Sequence, residues 1–204
     1  QVLPGDIERR SFELIQEELS LQGIHLKPEN EMVIKRAIHT TADFDYADNL
    51  VFSESAVPLA LRALREGTPI VTDTNMAKAG INKTALKKVK SEVYCFMADE
   101  DVARAAAEQG TTRARAGVDK AAALGEDCIF AVGNAPTALI RLYELIRAGR
   151  IHPRLIVAVP VGFVNVVQAK ELIMSLDVPY IAAKGRKGGS TVAAAVCNAL
   201  LYEL

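Results

Sequence analysis

The sequence predicts an α/β fold: a Rossmann-like, doubly wound, mainly parallel sheet of about five strands, with helices on both faces and an N-terminal helical segment. Three observations predict it. From Gly67 onward, short β-rich runs alternate with helical segments, which implies right-handed βαβ crossovers. Half of the 204 residues are hydrophobic, but Trp is absent and aromatics are only 5%, so aliphatic side chains fill the core, as in a buried parallel sheet. Gly and Pro stand where helices should start and stop. The length suits a single domain over residues 1–204. Such a chain can bury roughly 70% of its unfolded surface, so it needs neither disulfides nor a structural metal to fold.

The elements follow in order. Ile7, Leu14, Ile15 and Leu19 recur near helical spacing over residues 7–20. Pro28 can open a second helix, with Met32, Val33, Ala37 and Ile38 on its apolar side. A third helix follows Ser53 as N-cap and stops at Gly67. Between the second and third, HTTADFDYADNLVF fits no simple period. The strand candidates are 69–72, 93–97, 128–132, 155–161 and 179–183. Helices are expected near 76–89, 100–109, 113–124, 136–148, 165–176 and 190–203. Asp99 can cap one of them, Gly110 and Gly125 end two, and Pro136 and Gly149 bracket another.

Composition also excludes function classes. Lys+Arg 24 against Asp+Glu 25 leaves no basic excess for nucleic acid. No apolar run reaches the roughly 18 residues of a membrane span, and no signal peptide opens the chain. Cys95, Cys128 and Cys197 are far apart and each sits in an apolar stretch, so buried reduced thiols and a cytoplasmic location are expected.

Polar and glycine-rich clusters repeatedly follow a strand: DTNMAKAGI (73–81), GNAPTAL (133–139), GFVNVVQAKE (162–171) and KGRKGGST (184–191). In an open parallel sheet these loops crowd the carboxyl edge, where ligands bind. The last loop sets Lys184, Arg186 and Lys187 among Gly185, Gly188 and Gly189, just before Ser190. Small residues let a backbone approach a ligand, and amides at a helix start attract anions. The chain has no Walker motif and no GxGxxG, so a carboxylate or phosphate is favoured over a nucleotide. The alternative is a flexible turn with solvated cations.

Among single residues, His39 in IHTTADFD is a candidate general acid. If its helix continues, Asp43 lies at i+4 and can hold the imidazolium. His39 with Asp43 and Asp45 could instead bind a metal, or His39 could be structural. His25 and His152 read as surface residues. Arg113 can clamp a carboxylate, although Arg115 competes for the assignment. Asp73 follows the first expected strand and either caps the next helix or binds ligand. Without a GxSxG elbow or a Cys in a basic setting, Ser or Cys hydrolase chemistry has little support.

Five runs together carry a resemblance: RAIHTTADFDYADNLVFS, GTPIVTDTNMAKAGINK, FAVGNAPTALIRLYELI, VPVGFVNVVQAKELI and GRKGGSTVAAAVCNALL. In this order, over nearly the whole chain, they resemble the precorrin-8X and cobalt-precorrin-8 methylmutases. The resemblance implies an isomerase of cobalamin (vitamin B12) biosynthesis. Such an enzyme moves a methyl group from C11 to C12 of a corrinoid tetrapyrrole and gives hydrogenobyrinate or cobyrinate. It implies no cofactor, any cobalt belonging to the substrate, and a homodimer with active sites near the interface. It matches His39 to the catalytic histidine, which protonates the ring system, and Ser11 and Arg113 to ligand contacts. Asp73, Asn134, Gly162, Lys184, Gly185, Arg186, Lys187, Gly188, Gly189 and Ser190 complete the expected substrate-binding set. Gln168 departs from the acidic residue expected in many relatives. The competing readings are a non-catalytic corrinoid binder and a metal-dependent hydrolase built on His39, Asp43 and Asp45.

Overall fold

The N-terminal third folds largely as helix. The computed structural model describes residues 4–204, with side chains from Asp6 onward. Among these residues the chain opens with α1 (Pro4–Leu21), α2 (Pro28–Thr41) and a single turn, α3 (Tyr46–Asn49). Pro28 starts α2, where a fixed φ and a missing N–H carry no penalty. Then come β1 (Leu50–Phe52), α4 (Ala56–Arg65), β2 (Ile70–Thr72), α5 (Asn75–Gly80), α6 (Lys83–Lys88) and β3 (Val93–Tyr94). They are followed by α7 (Glu100–Glu108), α8 (Arg113–Ala123), β4 (Ile129–Val132) and α9 (Pro136–Arg147). The chain ends with β5 (Leu155–Ala158), α10 (Val166–Met174), β6 (Tyr180–Ala183) and α11 (Ser190–Tyr202).

The strands stand in the order β1-β6-β5-β4-β2-β3. Strands β2 to β6 pair in parallel, while β1 runs antiparallel along β6 with Leu50 opposite Ala183. The sheet is therefore mixed and has six strands among the described residues, rather than about five parallel ones. The added strand comes from the segment without a readable period. Only three residues long, and on an edge, it needs no alternating pattern.

Side chains alternate across the sheet, as the pleat requires. Ile129, Ala131, Leu155 and Val157 join the core beneath α2, α4 and α11. Phe130, Val132, Ile156 and Ala158 join the core beneath α8, α9 and α10. Helices thus cover both faces. Three local expectations need correction. Ser53 does not cap α4; its Oγ accepts from the Tyr180 amide at 2.9 Å and prolongs the β1–β6 pairing. The helix expected over 76–89 breaks in two, because the Asn82 side chain accepts from the Thr84 and Ala85 amides and starts α6. Asp99 occupies a cap position, but its carboxylate accepts from Lys120 Nζ at 2.7 Å instead.

All three cysteines are free and buried. Burial pushes the Cys128 thiol up to about 11 and the Cys197 thiol up to about 12, which keeps them protonated and unreactive. No described helix is long and apolar enough to cross a membrane.

Candidate active site

The order of strands places a crevice. From β2 the chain adds β3 on one side, then places β4, β5 and β6 on the other. The loops after β2 and β4 therefore part in opposite directions, the position where open α/β sheets bind ligands. Asp73, at the end of β2, bridges that gap. Its carboxylate accepts from the amides of Gly133 at 2.8 Å, Asn134 at 2.8 Å and Ala135 at 2.7 Å. Asp73 is 7% exposed, and burial pushes its carboxyl up against the pull of those amides. The side chain thus shapes the loop after β4 rather than facing solvent. Thr74, not Asp73, caps α5 by accepting from the Ala77 amide at 3.1 Å.

The expected convergence of loops is present. Thr74 Oγ1 and Ser190 Oγ lie 2.7 Å apart, joining the loop after β2 to the start of α11. The Gly189 amide donates to Val159 O at 2.8 Å, and the Gly162 amide to Arg186 O at 3.1 Å. Gly133 sits so close to the start of α11 that an added Cβ would fall 2.7 Å from Ser190 Cα. The contact between the two loops requires glycine there.

The basic loop between β6 and α11 divides into two kinds of residue. Lys184 and Arg186 are exposed, and the Arg186 guanidinium lies 5.4 Å from the centroid of the exposed Phe163 ring. Lys187 is already paired. Its Nζ donates to Asp43 Oδ2 at 2.6 Å and to Asp45 Oδ2 at 2.5 Å. Those bonds hold Asp43 below the usual carboxylate range and raise Lys187. The free-cation reading of Lys187 is corrected on that ground. So is the pairing of His39 with Asp43: α2 stops at Thr41, and Ala42 turns left-handed with φ 53. A metal site on His39, Asp43 and Asp45 has no support among the described residues, which hold no group of three suitable ligands.

Beneath the loop lies a residue that the sequence reading passed over. Lys170 on α10 is 0% exposed, and its Nζ donates to Gly185 O and Lys187 O, both at 2.8 Å. The available signal was its face: Val166, Ala169, Lys170 and Ile173 share the buried side of α10. Burial lowers Lys170 to about 8 from 10.5. The unfolded chain therefore holds this proton more tightly. This group should make stability rise as pH climbs from about 8 toward 10.5. Melting temperatures across that range should lose this rise in Lys170→Met. An unchanged pH profile in the variant would contradict the assignment.

His39 lies in the last turn of α2, exposed, with its ring stacked on Phe12 at 5.2 Å and 18°. The Arg36 guanidinium covers Phe12 at 4.7 Å and pairs with Glu8. Ser11 neighbours Phe12 in sequence, and its Oγ donates to Ile7 O at 2.8 Å. An open groove of about 580 Å³ runs along Phe12, Lys35 and Arg36 between α1 and α2. Across the sheet edge, Arg113 opens α8 and is exposed, with a long bond from Nη1 to Met97 O at 3.4 Å. Arg115 is engaged by Glu144 at 2.9 and 2.6 Å. Thr112 and Thr137, 2.8 Å apart through their hydroxyls, tie the start of α8 to the start of α9. A small cavity of about 20 Å³ lies beside Asp73, Met97 and Ala114. Asn134 is exposed on the loop that Asp73 shapes.

Comparison with known proteins bears on this arrangement. The CbiC family pattern, described as precorrin-8X methylmutase, matches residues 6–203. The chain belongs to the precorrin-8X methylmutase family. Methylmutases of this kind are isomerases of cobalamin biosynthesis. The cobalt-precorrin-8 methylmutase of Salmonella typhimurium is 46% identical over 98% of this chain and 96% of its own length. That of Leptospira interrogans is 42% identical over 98% of this chain and 93% of its own. A crystal structure of the precorrin-8X methylmutase from Thermus thermophilus matches with TM-score 0.88 at 41% identity, covering 96% of this chain and 94% of that one. Precorrin-8X methylmutase relatives thus carry both the metal-free and the cobalt substrate in their names.

Proposed function

We propose that this protein moves a methyl group from C11 to C12 of precorrin-8X or cobalt-precorrin-8, giving hydrogenobyrinate or cobyrinate. The observation that carries the reading is family membership over residues 6–203, with His39 exposed one turn before the Asp43–Lys187 contact. The macrocycle lies flat on the carboxyl edge of the sheet. Arg113, Lys184, Arg186 and Ser11 take its rim groups. The amides and small residues at Asn134, Gly162, Gly185, Gly188, Gly189 and Ser190 line the approach, and Asp73 shapes it from within.

His39, as imidazolium, donates a proton or a strong hydrogen bond to a pyrrolic nitrogen. The added positive charge draws electron density from the conjugated ring and lowers the barrier to the [1,5] methyl shift. General acid action of this type contributes ~10²–10⁴ in rate. Holding one reactive tautomer supplies further acceleration. The reaction is an isomerisation with no net electron transfer and so consumes no redox cofactor; in this reading the enzyme brings no metal of its own, and cobalt, when present, arrives with the substrate. It acts as a homodimer in the reducing cytoplasm, with active sites near the subunit interface.

The test is to incubate the purified protein with precorrin-8X and, separately, with cobalt-precorrin-8 while following the corrinoid absorbance. Conversion of at least one is expected. Tight product binding with no conversion of either would make the protein a corrinoid carrier instead.

A further inference from the structure

We propose that Lys187 and Lys170 are positioning residues, which lock the glycine-rich basic loop and the end of the His39-bearing helix into one fixed relation. The inference rests on the methylmutase reading for what that relation serves. The loop needs outside restraint. Gly185, Gly188 and Gly189 all have positive φ, at 74, 152 and 140°, and glycine backbones of this kind are intrinsically free. Lys170 restrains the loop from below. Being buried, it must satisfy its N–H groups locally, and it does so on the carbonyls of Gly185 and Lys187.

Lys187 restrains it from the side. Its ammonium reaches residues 144 and 142 positions away in sequence, Asp43 and Asp45. Their carboxylates are preset by the turn that ends α2. Thr41 Oγ1 accepts from the Asp43 amide at 3.3 Å, and Asp43 Oδ1 accepts from the Asp45 amide at 3.0 Å. His39 stands three residues before the left-handed Ala42 that begins this turn. The groups that face Lys187 Nζ are thus the two carboxylates of the turn that follows the His39 helix. An exposed pair of this kind adds little to global stability. Its effect is on where the end of α2 sits relative to the ligand edge, and small displacements of a reacting group are costly in rate.

Lys187→Met and the double variant Asp43→Asn/Asp45→Asn cut the same tether from opposite ends. Each is expected to lower kcat on the order of 10–100-fold. Affinity for the corrinoid product should stay within roughly threefold, and melting should barely move. The triple variant should be no worse than either parent, since one interaction cannot be removed twice. If Lys187 instead gripped substrate, Lys187→Met would weaken product binding roughly tenfold or more while Asp43→Asn/Asp45→Asn left it unchanged. That outcome, or unchanged kcat in both variants, overturns the proposal.

Amide hydrogen exchange in the ligand-free protein separates this question from the function. Lys187→Met should accelerate exchange in 184–189 and in 40–46 together, and Lys170→Met should do so in 184–189. A change confined to 184–189 in Lys187→Met counts against the tether. If Lys170→Met does not fold, the Lys187→Met arm decides. If wild-type protein converts neither substrate, the methylmutase reading fails, while the exchange result still rules on the tether.

Discussion

His39→Ala is expected to lose turnover by ~10²–10⁴ or more, while corrinoid product still binds within roughly threefold of wild type. The two halves of that expectation come from different parts of the structure. The side chain is exposed at the end of α2 and stacks on Phe12, so among the described residues its removal breaks no side-chain hydrogen bond. Apart from Ser11 on α1, the binding groups proposed above stand elsewhere, on α8 and on the loops after β4, β5 and β6. A proton donor that acts in the transition state should change kcat and leave product affinity alone. Single-turnover absorbance gives the rate, and titration with product gives the affinity. Activity at the wild-type level in His39→Ala would remove the residue from the mechanism. A parallel loss of rate and product affinity would make it a binding group instead.

What the sequence made legible follows from how local each determinant is. Strands β2, β4, β5 and β6 were readable because buried parallel strands are continuous aliphatic runs, as in Ile129–Val132 and Leu155–Ala158. β3 shrank to Val93–Tyr94 since it stands at the sheet edge, and β1 was invisible because Leu50–Phe52 is too short to show a period. The clustering of loops was legible from chain order alone. The partners within it were not. Asp73 meets amides about 60 residues away, and Lys187 meets carboxylates on the far side of the chain. His39 was found through its neighbours in sequence, yet the expected link to Asp43 failed at one residue. Ala42 adopts φ 53, a conformation that Ala seldom signals. Lys170 was hidden for a related reason: a lysine is assumed to be solvated until a helix face shows it turned inward.

Gly188→Ala should cause the largest loss of stability of any single substitution considered. An added Cβ would lie 2.0 Å from Val159 O, 2.8 Å from Val159 C and 3.1 Å from Pro160 C. All three are backbone atoms at the end of the buried strand β5, so no flexible side chain can swing away. At φ 152 the backbone is also in a region that L side chains rarely adopt, which costs about 1–3 kcal/mol. Relief requires the loop to move off β5, and that breaks the bond from the Gly189 amide to Val159 O at 2.8 Å. Leaving a buried donor without its acceptor costs a further ~1–3 kcal/mol. A fall in melting temperature of roughly 5–20 °C is expected for a chain of this size. Gly185→Ala is the control. It stands in the same loop at φ 74, but nothing lies within 4 Å of its added Cβ. It should therefore show backbone strain alone, a drop of only a few degrees. Because Gly188 is what lets the basic loop rest on β5, the same variant should also lose most of its corrinoid affinity. Equal melting temperatures for the two variants would mean that the loop does not rest on β5 in solution, and would remove the common anchor from which Lys170, Lys187 and the Gly189 amide act.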